Sequence, residues 1–249
     1  MTLTAVALLL ALVAPAQAAS PVAVAPPTAP QPSADAQALA VLLNPEQPLV
    51  SASIHVFETG FREAIRQGAE GATVFEQYPG LDAAIVAGCK PVIEKHTRKS
   101  IPRLRDQAAR FFADRFSPAE LRQLRDFYAS PTGTKLIAGM IAGMDGADAM
   151  PDYVRRDSGE ISSKDISKML GGSLGRMLPS LDDRDKAVLT SFARTPVYPK
   201  LQALQPEILA LGARFANEPD PAFDADLEKV IEAVTTDFIA KHDAAKQTG

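Results

Sequence analysis

Three histidines and one cysteine are the side chains of this 249-residue chain best suited to metal or nucleophilic chemistry. His55, His96 and His242 lie far apart and lack the His-x-x-x-His spacing typical of helical zinc ligands. Cys89 is the single cysteine, so an intrachain disulfide is impossible. We interpret it as a small buried hydrophobe rather than a reactive thiol, because no histidine or aspartate lies at a spacing typical of thiol activation. No metal site is predicted.

Acidic and glycine-containing patterns provide no better candidate for a catalytic site. An acidic cluster near the C-terminus comprises Asp220, Asp224, Asp226 and Glu228. It lacks the glycine and ligand order of a calcium loop and suits the first turns of a helix instead. The segment Thr132-Gly133-Thr134-Lys135 lacks the leading glycine and the preceding strand of a phosphate-binding loop. We therefore predict no catalytic residue, no cofactor and no enzymatic activity, with a hydrolase of unrecognised site as an alternative.

Two helix-start signals lie close together near the middle of the chain. Ser117 and Glu120, with Pro118 between them, form a capping box with proline at the first helical position. Ser130-Pro131 repeats the cap and the proline. Apolar residues at helical spacing follow both signals: Leu121, Leu124, Phe127, Tyr128, Leu136, Ile137, Met140, Ile141 and Met144. The pattern predicts two helices joined by a sharp turn.

The same pattern returns 65 residues later. Leu121, Leu124, Phe127, Pro131, Lys135 and Leu136 correspond to Lys186, Leu189, Phe192, Pro196, Lys200 and Leu201. Asp182 and Asp185 take the places of the capping residues, Thr195-Pro196 takes the place of Ser130-Pro131, and only Lys186 changes the character of its position. We predict a diverged internal repeat of a helix-turn-helix unit, spanning about 81–145 and 146–211. The alternative is that two capped amphipathic helix pairs align by chance.

The first copy also resembles a known family. Its sequence is similar to the hallmark F-T-x-x-E-L followed by F-Y-x-S-P-x-G-x-K of the exported bacterial helical family called domain of unknown function 2059. The motif residues that carry the resemblance are Phe116, Ser117, Glu120, Leu121, Phe127, Tyr128, Ser130, Pro131, Gly133 and Lys135. The resemblance covers roughly Leu81–Met144 and implies an all-helical exported protein with no assigned activity. The second copy departs from the hallmark with Val197, Tyr198 and Pro199, so a surface role of the Ser-Pro-x-Gly turn is not expected there.

The N-terminus predicts export. Residues 2–18 are apolar and end in Ala16-Gln17-Ala18, which fits a signal-peptidase site, so we predict a signal peptide over 1–18 and a periplasmic or secreted protein. No basic residue precedes Arg62, so either the true start lies upstream or export from this start is inefficient. Residues 19–33 are rich in proline and alanine and are predicted to form a disordered linker. No later stretch is long and apolar enough to span a bilayer.

Helical periodicity in the remaining residues, 34–249, predicts an all-α multi-helix bundle. The expected helices are Ala34–Leu43, Val50–Gln67, Thr73–Tyr78, Leu81–Lys99 interrupted or kinked at Pro91, Ile101–Phe112 after a break at Pro102, Asp148–Arg156, Ser162–Met177, Leu201–Phe215 with a kink at Pro206, and a C-terminal helix at about 220–246.

Charge is segregated along the chain. Residues 89–125 contain ten basic and four acidic residues, a net charge of +6, and residues 217–249 contain eight acids and three lysines, a net charge of −5. The favoured interpretation is a solvated helix surface partly paired with the acidic C-terminal helix. The alternative is a basic face for anionic lipid or another envelope polyanion, formed by Lys95, Arg98, Lys99 and Arg105. The overall charge of −4 gives no general attraction to nucleic acid.

These observations favour an exported, non-enzymatic interaction module of the bacterial cell envelope, with an unknown envelope protein or an anionic lipid surface as its partner. The alternative to a protein interaction is a binder of an apolar or amphipathic small ligand between the two repeats. A pocket lined by Met140, Met144 and Met177 would support that alternative, and a filled core would count against it.

Overall fold

The computed structural model describes residues 31–67, 69–148 and 160–247, which contain helices and no β-strand. The α-helices of this part of the chain are α1 (Ala34–Leu43), α2 (Glu46–Gln67), α3 (Ala69–Gln77), α4 (Leu81–Arg115), α5 (Pro118–Ala129), α6 (Pro131–Ala142), α7 (Ser163–Met177), α8 (Asp183–Ala193), α9 (Val197–Ala203), α10 (Gln205–Asn217) and α11 (Pro221–Gln247). The all-α prediction is confirmed. The predicted signal peptide, most of the predicted linker and nearly all of the predicted helix Asp148–Arg156 lie outside the described residues.

The longest helix, α4, contradicts the predicted breaks at Pro91 and Pro102. Both prolines lie inside one continuous helix of 35 residues. A proline removes one helical hydrogen bond and crowds the preceding turn, which disfavours a helix interior. Here both rings lie on the exposed side, while the opposite side of α4 is buried against α1, α2 and α11. Burial of that apolar side outweighs the local preference of the prolines.

The helix predicted over Leu201–Phe215 with a kink at Pro206 is divided near that proline into two helices. The chain ends α9 at Ala203 and starts α10 at Gln205, so Pro206 lies in the first turn of a new helix. A proline there needs no hydrogen-bond partner for its missing N–H. The same geometry that permits a helix start at Pro118 and Pro131 therefore operates here.

Two apolar clusters hold the helices together. The main core joins α1, the start of α2, the C-terminal half of α4 and the helices from α5 to α10. The second cluster lies between the N-terminal half of α4, the C-terminal half of α2 and α11. Its fully buried members are few, and most of the α11 side chains that line it are only partly buried.

Two stretches of the main core have matching burial. Unit one is the C-terminal half of α4 with α5 and α6, and unit two is α7 with α8 and α9. Buried residues recur between them at the offset of 65: Ile101 and Ile166, Leu104 and Met169, Phe112 and Met177, Phe116 and Leu181, Phe127 and Phe192, and Leu136 and Leu201. The units therefore bury corresponding positions of the sequence.

Candidate interaction site: the junction of the two units

The first helix start of unit one is the predicted capping box. The amide of Glu120 donates to Ser117 Oγ at 3.4 Å, and the amide of Ser117 donates to Glu120 Oε2 at 2.7 Å. Both otherwise unpartnered amides of the helix start are thereby satisfied. Pro118 occupies the first helical turn.

The turn between α5 and α6 is a single residue, Ser130. Its hydroxyl donates to the carbonyl of Phe127 at 2.6 Å and accepts from the amide of Gly133 at 3.1 Å. Gly133 is required by this close approach, because a Cβ there would overlap the Phe127 carbonyl and lie 2.7 Å from Tyr128 Cα. The Ser-Pro-x-Gly sequence therefore folds the two helices sharply onto each other, as predicted.

Unit two repeats most of these contacts. The amide of Asp185 donates to Asp182 Oδ1 at 2.8 Å and completes a second capping box. The hydroxyl of Thr195 donates to the carbonyl of Phe192 at 2.6 Å, as Ser130 does to Phe127. No side chain caps the start of α9, which agrees with the departure of this turn from the family hallmark.

The two units contact each other through stacked aromatic rings. Phe127 and Phe192, which occupy corresponding positions, stack with their ring centroids 3.8 Å apart and their planes 7° apart. Tyr128 contacts the edge of Phe192, with centroids 6.3 Å apart. All three side chains are buried in the main core. An aromatic stack of this kind contributes more than the area it buries.

Two ion pairs cross the junction in opposite directions. Lys135 Nζ lies 2.6 Å from Asp185 Oδ2, and Lys200 Nζ lies 2.8 Å from Glu120 Oε2. Glu120 corresponds to Asp185 and Lys135 to Lys200, so each unit supplies the capping acid of one pair and the lysine of the other. At the level of helices, α5 contacts α9 and α6 contacts α8. Such reciprocal contacts are the arrangement of an isologous, two-fold interface.

The crossed pairs also set the ionisation of the capping acids. The hydrogen bond from Lys135, followed by that from Thr132 Oγ1 at 2.9 Å, holds the pKa of Asp185 below its ordinary value. The hydrogen bond from Lys200, followed by the Ser117 amide, lowers the pKa of Glu120 in the same way. Both carboxylates are therefore kept charged, and each serves a helix cap and an ion pair at once.

The basic residues proposed from the sequence as a lipid-facing surface are largely engaged with other helices. Lys95 Nζ lies 2.8 Å from Asp226 of α11, and Arg98 pairs with Glu94 at 2.9 Å and with Glu46 of α2. The Arg105 guanidinium donates through Nε at 3.0 Å and through Nη2 at 2.8 Å to the carbonyl of residue 44, at the end of α1. Lys99 is exposed on α4, within electrostatic reach of Asp220.

Other members of the basic run connect to acids far away in the sequence. Arg103 pairs with Glu218 at 2.8 Å and Arg115 with Glu207 at 2.6 Å. Side chains of the basic run therefore contact residues of α2, of α10 and its C-terminal cap, and of α11. Lys95 and Arg98 contact different helices. Of these contacts, Lys95 with Asp226 and Arg103 with Glu218 join the basic run to the acidic C-terminal segment, as the favoured interpretation of the charge segregation expected. The others join it to α2, to α10 and to the end of α1.

A cluster that sequence reasoning missed surrounds His96. This side chain is 3 % exposed and lies between the carboxylates of Asp220 and Asp226. Its partners are 124 and 130 residues away along the chain, so no spacing rule could have joined them. In the sequence, the only indication of this cluster was the opposite net charge of residues 89–125 and 217–249.

Neither a small-ligand pocket between the units nor a reactive Cys89 thiol gains support from the described residues. Met140, Met144 and Met177 are buried in the main core, and a Cβ on Gly139 would lie 2.5 Å from Met177 Cγ, so this part of the core is filled. Surface depressions of about 580 and 210 Å³ lie elsewhere, beside α10 and beside α8. Cys89 is buried, and burial raises the pKa of its thiol to about 11, which makes the thiolate scarce at neutral pH.

Neither a metal site nor a membrane span is found in the part of the chain that the structure describes. No group of three or more histidine, cysteine, aspartate or glutamate side chains there could hold a metal ion. None of the described helices combines the length and apolarity needed to cross a bilayer.

Comparison with known proteins finds a family model that is similar to the first unit. No curated protein and no solved structure matches the chain. The family model that does match covers residues 102–155, which include the C-terminal part of α4, α5 and α6, and hence all ten motif residues. That family is DUF2059, an uncharacterized protein conserved in bacteria, and the match confirms the family to which the motif pointed.

Proposed function

We propose that this chain is an exported, non-enzymatic, all-helical interaction module of the bacterial cell envelope. The observation that carries the proposal is that polar residues of the motif hydrogen-bond or form ion pairs with other parts of the helices. Ser117, Glu120, Ser130 and Lys135 all bond within caps, the inter-helix turn or the crossed ion pairs. A motif whose polar groups hold helices together supports a role in building a fixed surface, since the groups that catalysis would need are already occupied.

The proposed module contains an internal duplication. The common offset, the two capping boxes, the stacked Phe127 and Phe192 and the crossed lysine pairs all support this origin. A two-fold relation between the units would explain why equivalent residues contact one another across the junction. The test is a superposition of unit one on unit two in an experimentally determined structure. A rotation near 180° is expected, and a fit no better than that of unrelated helix pairs would disprove the duplication.

The export proposal rests on the apolar N-terminal segment and its Ala16-Gln17-Ala18 sequence. We expect the protein in the periplasmic fraction or the medium, with Ala19 as the mature N-terminus. Replacing Ala18 with phenylalanine should block cleavage and leave the precursor in the membrane fraction. An uncleaved, cytoplasmic protein would contradict the proposal.

An envelope protein is the proposed partner. The internal pairing of Lys95, Arg98 and Arg105 leaves less free positive charge for lipid headgroups than the sequence suggests. Photo-crosslinking in cells tests whether the partner is a protein. A photoreactive amino acid replaces Asp126 in unit one or Lys186 in unit two, both of which are exposed.

A protein partner predicts discrete cross-linked bands from some positions and none from others, each identifiable by mass spectrometry. A matched control carries the same amino acid at Lys241, near the end of α11. Equal, diffuse labelling from all three positions would contradict a defined interaction surface. A partner-free protein that turns over a small substrate would contradict the non-enzymatic role.

A further inference from the structure

The cluster around His96 joins α4 to the start of α11. His96 Nε2 lies 2.9 Å from Asp226 Oδ2, and Nδ1 lies 3.4 Å from Asp220 Oδ2. The ring also packs against Phe223, with centroids 5.1 Å apart, and Phe223 is the one fully buried side chain that α11 contributes to the second cluster. The cluster thus combines a titratable group with the apolar anchor of the helix.

Both ring nitrogens of His96 must carry a proton if the ring is to donate a hydrogen bond to each carboxylate. A neutral imidazole carries one N–H donor and one lone pair, whereas an imidazolium carries two donors. In the neutral form, one nitrogen lone pair would therefore face a carboxylate oxygen. Since His96 is almost entirely buried, water has little access to relieve that contact.

The carboxylates of Asp220 and Asp226 are both ionised at neutral pH. The hydrogen bond from His96 and then that from Lys95 lower the pKa of Asp226 to about 2. Burial raises the pKa of Asp220, but the amide of Phe223 and His96 outweigh burial and lower it overall. Histidine is the side chain that ordinarily changes charge between pH 5 and 8. The other charged groups that face the cluster are Lys95 and Lys99, both from α4.

The rest of α11 packs along α4 in an extensive contact, but the apolar side chains that make it are only partly buried. Its inward stripe consists of side chains that are only partly buried, namely Leu227, Val230, Ile231, Val234 and Phe238. The helix lies close to α4 at Gly88, where a Cβ would lie 2.7 Å from Val234 Cγ2. Asp220 caps the helix as well, since its Oδ1 accepts from the amide of Phe223 at 3.1 Å. A change at His96 therefore acts on the cap, the anchor and the ion pair at one end of α11.

We propose that His96, Asp220 and Asp226 form a pH-sensitive latch that holds α11 over the apolar groove between α2 and α4. The imidazolium form donates to both carboxylates and docks the helix. As the pH rises through the titration of the imidazole, one donor is lost and the helix loosens. The docked state is thus favoured on the acidic side and weakened on the alkaline side. Release would expose the groove and the apolar stripe of α11.

Hydrogen exchange measured by mass spectrometry on the full mature protein tests the latch. Exchange of the 221–247 segment is compared at pH 5.5 and pH 8.0 after correction for intrinsic rates, with α5 and α6 as the internal reference for global unfolding. We expect protection of α11 to fall several-fold at the higher pH while the reference is unchanged. Equal protection of α11 at both values would overturn the proposal.

Variants separate the latch from a general effect of pH. His96→Gln should expose α11 at both pH values and abolish the pH response, and a retained response would overturn the assignment to His96. The matched control is His242→Gln, since His242 lies on α11 itself and its ring contacts that of Tyr78 edge to face, with centroids 5.1 Å apart. This control should keep the response, and its loss there would assign the switch to His242 instead. Should His96→Gln unfold the reference helices, Asp226→Asn provides the second test, with a reduced response expected and an unchanged one contradicting the latch.

Discussion

Unit one and unit two begin α5 and α8 with the same kind of capping box, but other helices cover the two units to different extents. In unit one, α5 packs on α1 as well as on unit two, and Leu121, Leu124, Phe127 and Tyr128 are all buried. In unit two, α8 buries only Asp185 and Phe192. Lys186, at the position equivalent to Leu121, leaves 61 % of its side chain exposed.

This difference in covering matches the difference in residue type between Leu121 and Lys186. Leu39 and Leu43 of α1 lie in the same core as Leu121, so an apolar residue is needed there. No helix of the described chain covers α8 in the way that α1 covers α5, so Lys186 costs nothing at its exposed position. At the junction, Phe127 and Phe192, Glu120 and Asp185, and Lys135 and Lys200 share their chemical character. Tyr128 and Thr132 also contact unit two, but their equivalents are Ala193 and Val197.

The largest expected effect comes from the residue at the centre of the junction. Phe127→Ala should lower the free energy of unfolding by about 3–5 kcal/mol, because it removes a buried ring and leaves a cavity against Phe192. Phe192→Ala should have a loss of similar size, measured by urea denaturation. If the two losses differed by more than about 2 kcal/mol, the equivalence of the two rings would be wrong.

The next prediction compares positions that differ in covering. Leu124 is fully buried in α5, and Leu124→Ala should cost about 2–5 kcal/mol. Leu189, the equivalent residue in α8, is only partly buried, and Leu189→Ala should cost clearly less, because less apolar surface returns to water. Denaturation curves of both variants measure the difference. Equal costs would show that burial by α1 is not the cause of the divergence.

The caps should contribute less than the core. Ser117→Ala removes the side-chain acceptor of the α5 cap and should cost about 1 kcal/mol. Asp182→Ala removes the corresponding acceptor of α8, and a comparable loss is expected since the geometry is the same. Thermal unfolding of the two variants checks this prediction, with Ser117→Asp as a control that preserves an acceptor. A Ser117→Ala protein as stable as the parent would mean that the cap is not needed.

Local signals predicted the helices well, whereas long-range contacts could not be read from the sequence. The capping box at Ser117 and the cap at Ser130 were visible because their partners lie three residues away. The continuity of α4 through Pro91 was missed because it depends on burial against three other helices. The His96 cluster was missed for the same reason, since its acids approach only when α11 folds back on α4.

The crossed ion pairs should be visible in the dependence of stability on pH. The pKa values of Asp185 and Glu120 are lowered in the folded protein, so their contribution is present above the ordinary carboxyl range near pH 4 and is lost as the pH falls through the lowered values. Asp185→Asn and Glu120→Gln should each destabilise the protein at pH 7 by less than the core variants do. The difference from the parent should shrink at pH 2–3 in urea titrations. A difference that stays constant over this range would mean that the charges do not contribute.

The smallest expected effect is binding of the protein to anionic lipid. Its measurement tests whether the basic run faces a membrane surface or serves in contacts between helices. Lys95, Arg98 and Arg105 bind groups on α11, on α2 and at the end of α1, so contact with headgroups would have to compete with these bonds. Salt also screens whatever attraction remains. We therefore expect, at most, weak and salt-sensitive flotation of the mature protein with anionic vesicles, and none with neutral vesicles. Lys99→Glu is the sharpest variant, because Lys99 is exposed and, among the described residues, interacts with Asp220 through space rather than in a close ion pair. Its matched control is Lys186→Glu, which makes the same charge change on unit two. If Lys99→Glu reduces flotation and Lys186→Glu does not, the basic run has a lipid-facing side despite its internal pairs. If neither changes it, or the parent never floats at low salt, the run serves only to connect helices.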